Sequence, residues 1–525
     1  MPPTELHVEY SQAMPSKNDD TRCVPLGPLD HIAPCNIPQS IIYLGLKQGI
    51  DPQDAFACLQ EGLRRTILQA PWLNGRVYLQ SPDSTGWRPG QLEIRYKPID
   101  RDEGSSQVSE IPLRFNELPK STSFDELREA GFPLDIYDDE ALLWTSPFKP
   151  DFNSGAEVFA AQANAVPGGF LLTLSIAAPA SDGTAMLSVT KMWAEHCSSL
   201  SSNRKDKTAN ASPNTASLPT GLEGVDRSAL DGAISQATNS SKLPKGADTN
   251  QDSEFRRLAG MGGFLGASAD DTRQRTTHNN HQESGMKPSV FYMPQPMYTE
   301  LRQQLASAYK GVDVSGNNIV CAFIWRTTLR AWAAVRARQG AELEETATLA
   351  IPFDARPNLS HLIPANYLGN VNFEHVITLP LRTLISTETS IPWVAKMIHA
   401  NASSNAQEGP LLEAYGQLRS VPEYDQRHVQ IRASRLSTDS PCVGILSPMV
   451  LPFNGTLFGD NLFTNGGKPE AFCPMMGMCN RGYQTCFVIP RKQYGGLEFV
   501  MTLSEEEREF LQGDDEFSRY AFPMT

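Results

Sequence analysis

Gly168–Met186 reads GGFLLTLSIAAPASDGTAM, and its interpretation decides the fold. Gly168 to Ala178 is a continuous apolar run rich in Leu, the pattern of a strand covered on both faces. Met186, Val189 and Trp193 then recur at helical spacing, which predicts a helix over 184–196 with His196 near its end. A strand-to-helix corner lies between them. Enzymes often mount catalytic groups on such corners. Here no side chain from Ser175 to Asp182 is a general base suited to neutral pH.

The same alternation extends outward. Asp51 and Pro52 start a helix over 51–67, with Phe56, Leu59, Leu63 and Ile67 on its inner face. PWLNGRVYL (Pro71 to Leu79) turns into a strand. A helix is expected from about Asn317 to Ala337, with Val320, Phe323, Ile324, Ala331 and Val335 inward. IPFDARPNLS and YLGNVNFEHVITL follow as strand, loop and strand. GGLEFVMTL reads as a strand and SEEEREFLQ as a helix whose Ser504 and Glu507 have capping-box spacing. Strands alternate with helices in both halves, so the fold class is α/β.

The chain has 525 residues, 40% apolar and 20% charged, a length that favours two domains. Its formal net charge of −14 gives no basic footprint for nucleic acid. MPPTELHVEYSQAMPSKNDD lacks a basic segment followed by an apolar core, so no secretory signal is expected. No apolar run is long enough for a membrane helix. These readings point to a cytoplasmic protein. The nine cysteines are scattered, which favours reduced thiols. Cys473, Cys479 and Cys486 lack the spacing of a zinc site, so no metal is expected. Residues 198–287 are low in complexity and read as a largely disordered connection. One island within it, PTGLEGVDRSAL, is positioned to dock on the body. The expected organisation is an N-terminal domain 1–197, the connection 198–287 and a C-terminal domain 288–525.

LGPLDHIAP near residue 30, EVFAAQANAVPGGFLLTLSIAAPASDGTAM (157–186), NNIVCAFIWRTTLRA, IPFDARPNLSHLIPANYLGNVN, GGKPEAF and GGLEFVMTL occur in that order. Together they resemble the fungal branch of the BAHD acyltransferases, which includes trichothecene 3-O-acetyltransferase-like proteins. The resemblance implies two chloramphenicol-acetyltransferase-like domains, mixed sheets flanked by helices, with a channel between them. It implies acyl-CoA as co-substrate, a small-molecule acceptor, no bound cofactor and a monomer. In that family a His in HxxxDG removes the acceptor's proton.

Laid on that motif, Ala178 occupies the base position, Ala177 precedes it, and Asp182 and Gly183 close it. Asp182 and Arg356 match a structural salt bridge of the family, and Gly183 a tight helix start. Leu457, Phe458 and Gly459 are the best counterpart of the family's second motif. His375 and His31 are the substitute bases to examine, ahead of His361 and His399. Ser181, Tyr367 and Asn370 are the channel-lining candidates. Three readings stay open: an O-acyltransferase of fungal secondary metabolism with a non-standard site, a repurposed fold steering cyclisation or condensation, and a non-catalytic binding protein.

Overall fold

Gly169–Ile176 is the centre of a five-stranded sheet. It pairs antiparallel with Gln39–Gly45 on one side and Phe159–Val166 on the other. Leu113–Glu117 joins in parallel beyond Phe159–Val166, and Ala471–Pro474 joins antiparallel beyond Gln39–Gly45. The computed structural model describes residues 20–33, 37–99, 110–119, 122–133, 139–144, 150–203, 224–240, 286–364, 366–424, 440–447, 455–475, 485–490 and 495–524. Every residue of Gly169–Ile176 is buried, as its unbroken apolar run requires.

Two helices cover this sheet. Pro52–Gln69 starts where Asp51 accepts the Gln53 N–H at 2.8 Å, a standard N-cap. It runs two residues past the expected end, to the turn at Pro71–Asn74. The helix after the corner, Gly183–Asn203, is longer than the expected 184–196 and reaches into the low-complexity stretch. Trp193 anchors the two helices to each other, donating from Nε1 to Leu59 O at 2.7 Å. A smaller four-stranded sheet, ordered Arg22–Pro25, Leu92–Tyr96, Arg76–Leu79 and Ala156–Glu157, flanks this half.

The second half is built on seven strands. Their order is Asn372–Pro380, Thr346–Asp354, Cys442–Leu446, Thr485–Pro490, Leu497–Leu503, Lys287–Met293 and Phe522–Pro523. The Cys442–Leu446 strand is parallel to both neighbours, and the remaining pairs are antiparallel. The helix Gly316–Arg338 lies across it with Phe323, Ile324 and Trp325 fully buried. The Ser504–Glu507 capping box forms, with both reciprocal bonds present. The fold is α/β, with mixed sheets flanked by helices.

The cores do not follow a cut in the sequence. Phe458, Leu462 and Phe463 belong to the core of the first half, and Phe458 packs edge-on against Trp193 at 5.9 Å. Lys47 donates its backbone N–H to Leu462 O at 3.0 Å. Residues 455–475 therefore return from the second half to complete the first. Within the second-motif counterpart, Leu457 is exposed, Phe458 is buried and Gly459 has φ 110°. Of the low-complexity stretch, residues 198–203, 224–240 and 286–287 are described, and the remainder lies outside the described residues. The island's last four residues begin the helix Arg227–Ser240.

The return segment depends on Gly467. Its φ is 78°, and a Cβ there would sit 2.7 Å from the backbone of Gly459. Gly467→Ala meets both a left-handed backbone and a backbone clash. It is expected to destabilise the fold by about 1–3 kcal/mol, read as a lower urea midpoint. An unchanged midpoint would show that this crossing is not tightly packed.

Candidate active site

The corner Ala177–Asp182 is held almost entirely through its backbone. Ala177 donates its N–H to Val158 O at 2.8 Å, and its carbonyl accepts from Ala180 and Ser181 N–H. The next three carbonyls take their donors from side chains. Asn370 Nδ2 donates to Ala178 O at 3.0 Å and to Pro179 O at 3.2 Å. Arg227 Nη2 donates to Ala180 O at 2.5 Å. Four consecutive carbonyls are thus fixed, as buried backbone acceptors must be.

Asp182 ends the corner and starts the helix. Its Oδ1 accepts the Ala185 N–H at 2.9 Å, an N-cap bond. Its Oδ2 accepts from Arg356 Nη1 at 3.0 Å and from the Val371 N–H at 2.8 Å. Arg356 spends Nη2 on Gly369 O at 2.6 Å and also pairs with Asp354 at 2.9 Å. The sequence's expected partners, Asp182 and Arg356, therefore meet, and they tie the corner to the second half. Gly183 opens the helix.

A second buried ion pair lies beside the first, and the sequence reading did not single out either partner. Asp30 and Arg227 bond at 3.0 Å, both deeply buried. Asp30 also accepts from the Gly27 N–H, the Asn370 N–H and Asn370 Nδ2. Burial works against the charge of Arg227, and the surrounding groups, the Asp30 carboxylate first among them, together more than offset it. The one signal available was a charged residue in each of two short motifs, LGPLDHIAP and GLEGVDRSAL. The island docks through more than Arg227. Gly224 O accepts the Leu368 N–H at 2.8 Å, and Asp231 accepts from the Tyr415 hydroxyl at 3.0 Å.

The expected channel residues are engaged internally. Ser181 Oγ donates to Leu368 O at 2.9 Å. Asn370 clamps the corner. Tyr367 is buried with the Arg227 guanidinium over its ring at 5.7 Å, and burial pushes its hydroxyl pKa up.

Neither substitute imidazole offers a nitrogen that is both free and basic. His31 accepts the Leu92 N–H at Nε2, 3.0 Å, so its Nδ1 carries the proton and donates to Gly27 O at 2.8 Å. Its ring stacks on Tyr424 at 3.9 Å. Both nitrogens are used. Burial lowers its pKa to about 4. His375 stacks flat on Phe353 at 3.9 Å. Its Nδ1 is buried without a partner, and burial lowers its pKa to about 4. His361 is exposed and pairs with Glu408. Ala178 itself is buried and offers only a methyl group. Among the described residues no group of three His, Cys, Asp or Glu side chains could hold a metal. Cys473 and Cys486 lie in different sheets, and Cys479 lies outside the described residues. No helix among them is long and apolar enough to cross a membrane.

Residues 265–518 match the Transferase family, and residues 39–197 match the trichothecene 3-O-acetyltransferase-like N-terminal domain. The chain belongs to this transferase family. Among curated proteins, the chain is 26% identical over 505 residues to the isocyanide synthase-NRPS hybrid crmA of Aspergillus fumigatus. That match covers 94% of this chain and 31% of the hybrid, so the chain spans about a third of that relative's length. It is 23% identical to the eremophilane O-acetyltransferase prx11 of Penicillium rubens, over 88% of this chain and 91% of that one. Among solved structures, Fusarium sporotrichioides TRI101 complexed with coenzyme A and T-2 aligns with a TM-score of 0.67 at 17% identity. The alignment covers 96% of this chain and 99% of that one. The shared fold is the two-domain BAHD architecture.

Two outcomes follow. Asp182→Asn removes the charge facing Arg356 and is expected to cost about 3–5 kcal/mol, as for a broken buried pair, read as a fall in melting temperature. An unchanged melting temperature would sink the structural role of this pair. The two buried imidazoles contribute to the acid limb of stability. Their folded pKa of about 4 lies below the ordinary 6.5 of the unfolded chain. Between those values the unfolded state binds more protons, so stability falls as pH drops from 6.5 toward 4. The slope is at most about 1.4 kcal/mol per pH unit for each residue. Urea unfolding at pH 7, 6 and 5 should show this slope, and His31→Gln and His375→Phe should each flatten it. A slope that neither substitution changes would assign the acid loss to other groups.

Proposed function

We propose that the chain is an acyl-CoA-dependent O-acyltransferase of fungal secondary metabolism whose active site works without the motif imidazole. The observation that carries the reading is the corner. Its carbonyls, its N-cap and the Asp182–Arg356 pair are all in place around a methyl group at Ala178. Erosion of the whole site would leave buried charges without partners, and that cost would remove the network first. Supporting it, prx11 is named an O-acetyltransferase, and the TRI101 complexes are with coenzyme A together with T-2 or deoxynivalenol.

In this reading the acceptor oxygen attacks the thioester carbonyl carbon, the carbon–sulfur bond breaks, and coenzyme A leaves as a thiol after taking up the acceptor's proton. Ala178 cannot relay that proton. The chain's contribution is to hold the two substrates in attack geometry, which by itself supplies a large part of a barrier. General-base assistance, commonly worth about 10²–10⁴-fold, is what the methyl group forgoes.

A second reading draws on the same methyl group. With His31 locked and His375 held neutral on Phe353, a reaction carried by the shape of the channel rather than by a protein base also fits the site. The fold would then steer condensation or cyclisation of a bound intermediate, and the match to part of a synthetase hybrid favours it.

Acetyl-CoA binding by calorimetry and coenzyme A release with an alcohol panel, beside Ala178→His, test both. The first reading expects binding, slow release by the natural chain and a gain of about 10²-fold or more in Ala178→His. Absence of acetyl-CoA binding by both proteins would overturn it in favour of the second.

A further inference from the structure

The helices Pro52–Gln69 and Gly183–Asn203 cross at close range, and two cysteines meet at the crossing. The Cys58 thiol donates to Cys197 O at 3.5 Å, and the Cys197 thiol donates to Cys58 O at 3.6 Å. The two residues are therefore directly opposite each other, each sulfur lying against the other's backbone. Besides burial, the neighbouring Cys58 thiol raises the Cys197 pKa. Gly62 makes the approach possible. A Cβ there would lie 2.4 Å from Cys197 Sγ and 3.3 Å from its backbone N. Trp193, bonded to Leu59 O, holds the register one turn away. Reciprocal placement across such a close crossing suits the short Cα and Cβ separations that a disulfide requires.

The geometry points to Cys58 and Cys197 as a redox modification site, a dithiol that a hydroperoxide closes to an intrachain disulfide. Burial keeps the Cys197 thiol protonated while the helix pair is closed; once it opens, one thiol gives up its proton, its sulfur attacks the peroxide oxygen, the O–O bond breaks, and the leaving hydroxide takes up that proton, giving a sulfenic acid and the first water. The second thiolate displaces the hydroxyl from that sulfur, which leaves as the second water, and the S–S bond forms. Two electrons and two protons pass from the thiol pair to hydrogen peroxide. Both side chains are buried, so the rate follows local opening of the helix pair rather than surface encounter. The closed loop runs over 139 positions, from residue 58 to residue 197. Closing so long a loop restricts the unfolded chain and stabilises the folded one. Helix Gly183–Asn203 begins at the corner, so the clip would fasten the element that carries it.

Cys321 and Cys486 supply an internal comparison. They are also buried and close enough to interact electrostatically, but no reciprocal thiol–carbonyl bonds join them among the bonds described. The full chain is reduced, treated with hydrogen peroxide in buffer and in sub-denaturing urea, blocked with N-ethylmaleimide and mapped by peptide mass spectrometry. The expected product is a linked Cys58–Cys197 peptide, formed faster in urea. A rise in melting temperature of about 2–4 °C, reversed by dithiothreitol, should accompany it. Cys58→Ala and Cys197→Ser should each abolish the linked peptide and the rise. Overoxidation of the two cysteines singly, a link between Cys321 and Cys486 in its place, or no product in either buffer would each overturn the assignment.

Discussion

The Asp30 carboxylate is the point on which the site depends. Taking a carboxylate out of water is costly unless its oxygens are filled by donors. Here four donors from three separate parts of the chain fill them: Gly27, Arg227 and the backbone and side chain of Asn370. Arg227 and Asn370 in turn hold the carbonyls of Ala178, Pro179 and Ala180. The corner's shape therefore follows from where one buried charge finds its partners. Asp182 repeats the device on the other side, capping a helix with one oxygen and gripping the second half with the other.

This arrangement separates shape from proton chemistry. The corner's scaffold is built from backbone carbonyls held by the side chains of Asn370 and Arg227, and from the Asp182–Arg356 pair, so none of it depends on what side chain residue 178 carries. A base can be lost there without disturbing a single bond of the network. The two imidazoles that could have replaced it have structural work instead. His31 bridges Gly27 and Leu92, and His375 is a flat ring against Phe353.

Much of the framework was legible in the sequence because local patterning dictates it. The buried strand Gly169–Ile176, the helix capped by Asp51, the helix Gly316–Arg338 and the Ser504–Glu507 box each announce themselves within a few residues. The Asp182–Arg356 pair was legible only through family resemblance. What stayed hidden depends on contacts between distant positions. Asp30 and Arg227 lie 197 positions apart, and neither has a periodic neighbour to mark it as buried. Asn370 read as a channel residue because an amide in a glycine-containing loop carries no sign of which carbonyls it will meet. The strand Ala471–Pro474 is four residues long, too short to show alternation.

That short strand has a consequence for how the chain is made. The first half's sheet ends at Gln39–Gly45 until Ala471–Pro474 arrives to cover it, and Phe458 and Phe463 arrive with it to fill the core. During synthesis the first half must wait, with an open strand edge and an incomplete core, until residues 455–475 have left the ribosome. Such an edge invites pairing with other chains. The order of the sequence thus makes the two halves one folding unit, with residues 455–475 acting as the stopper for the first.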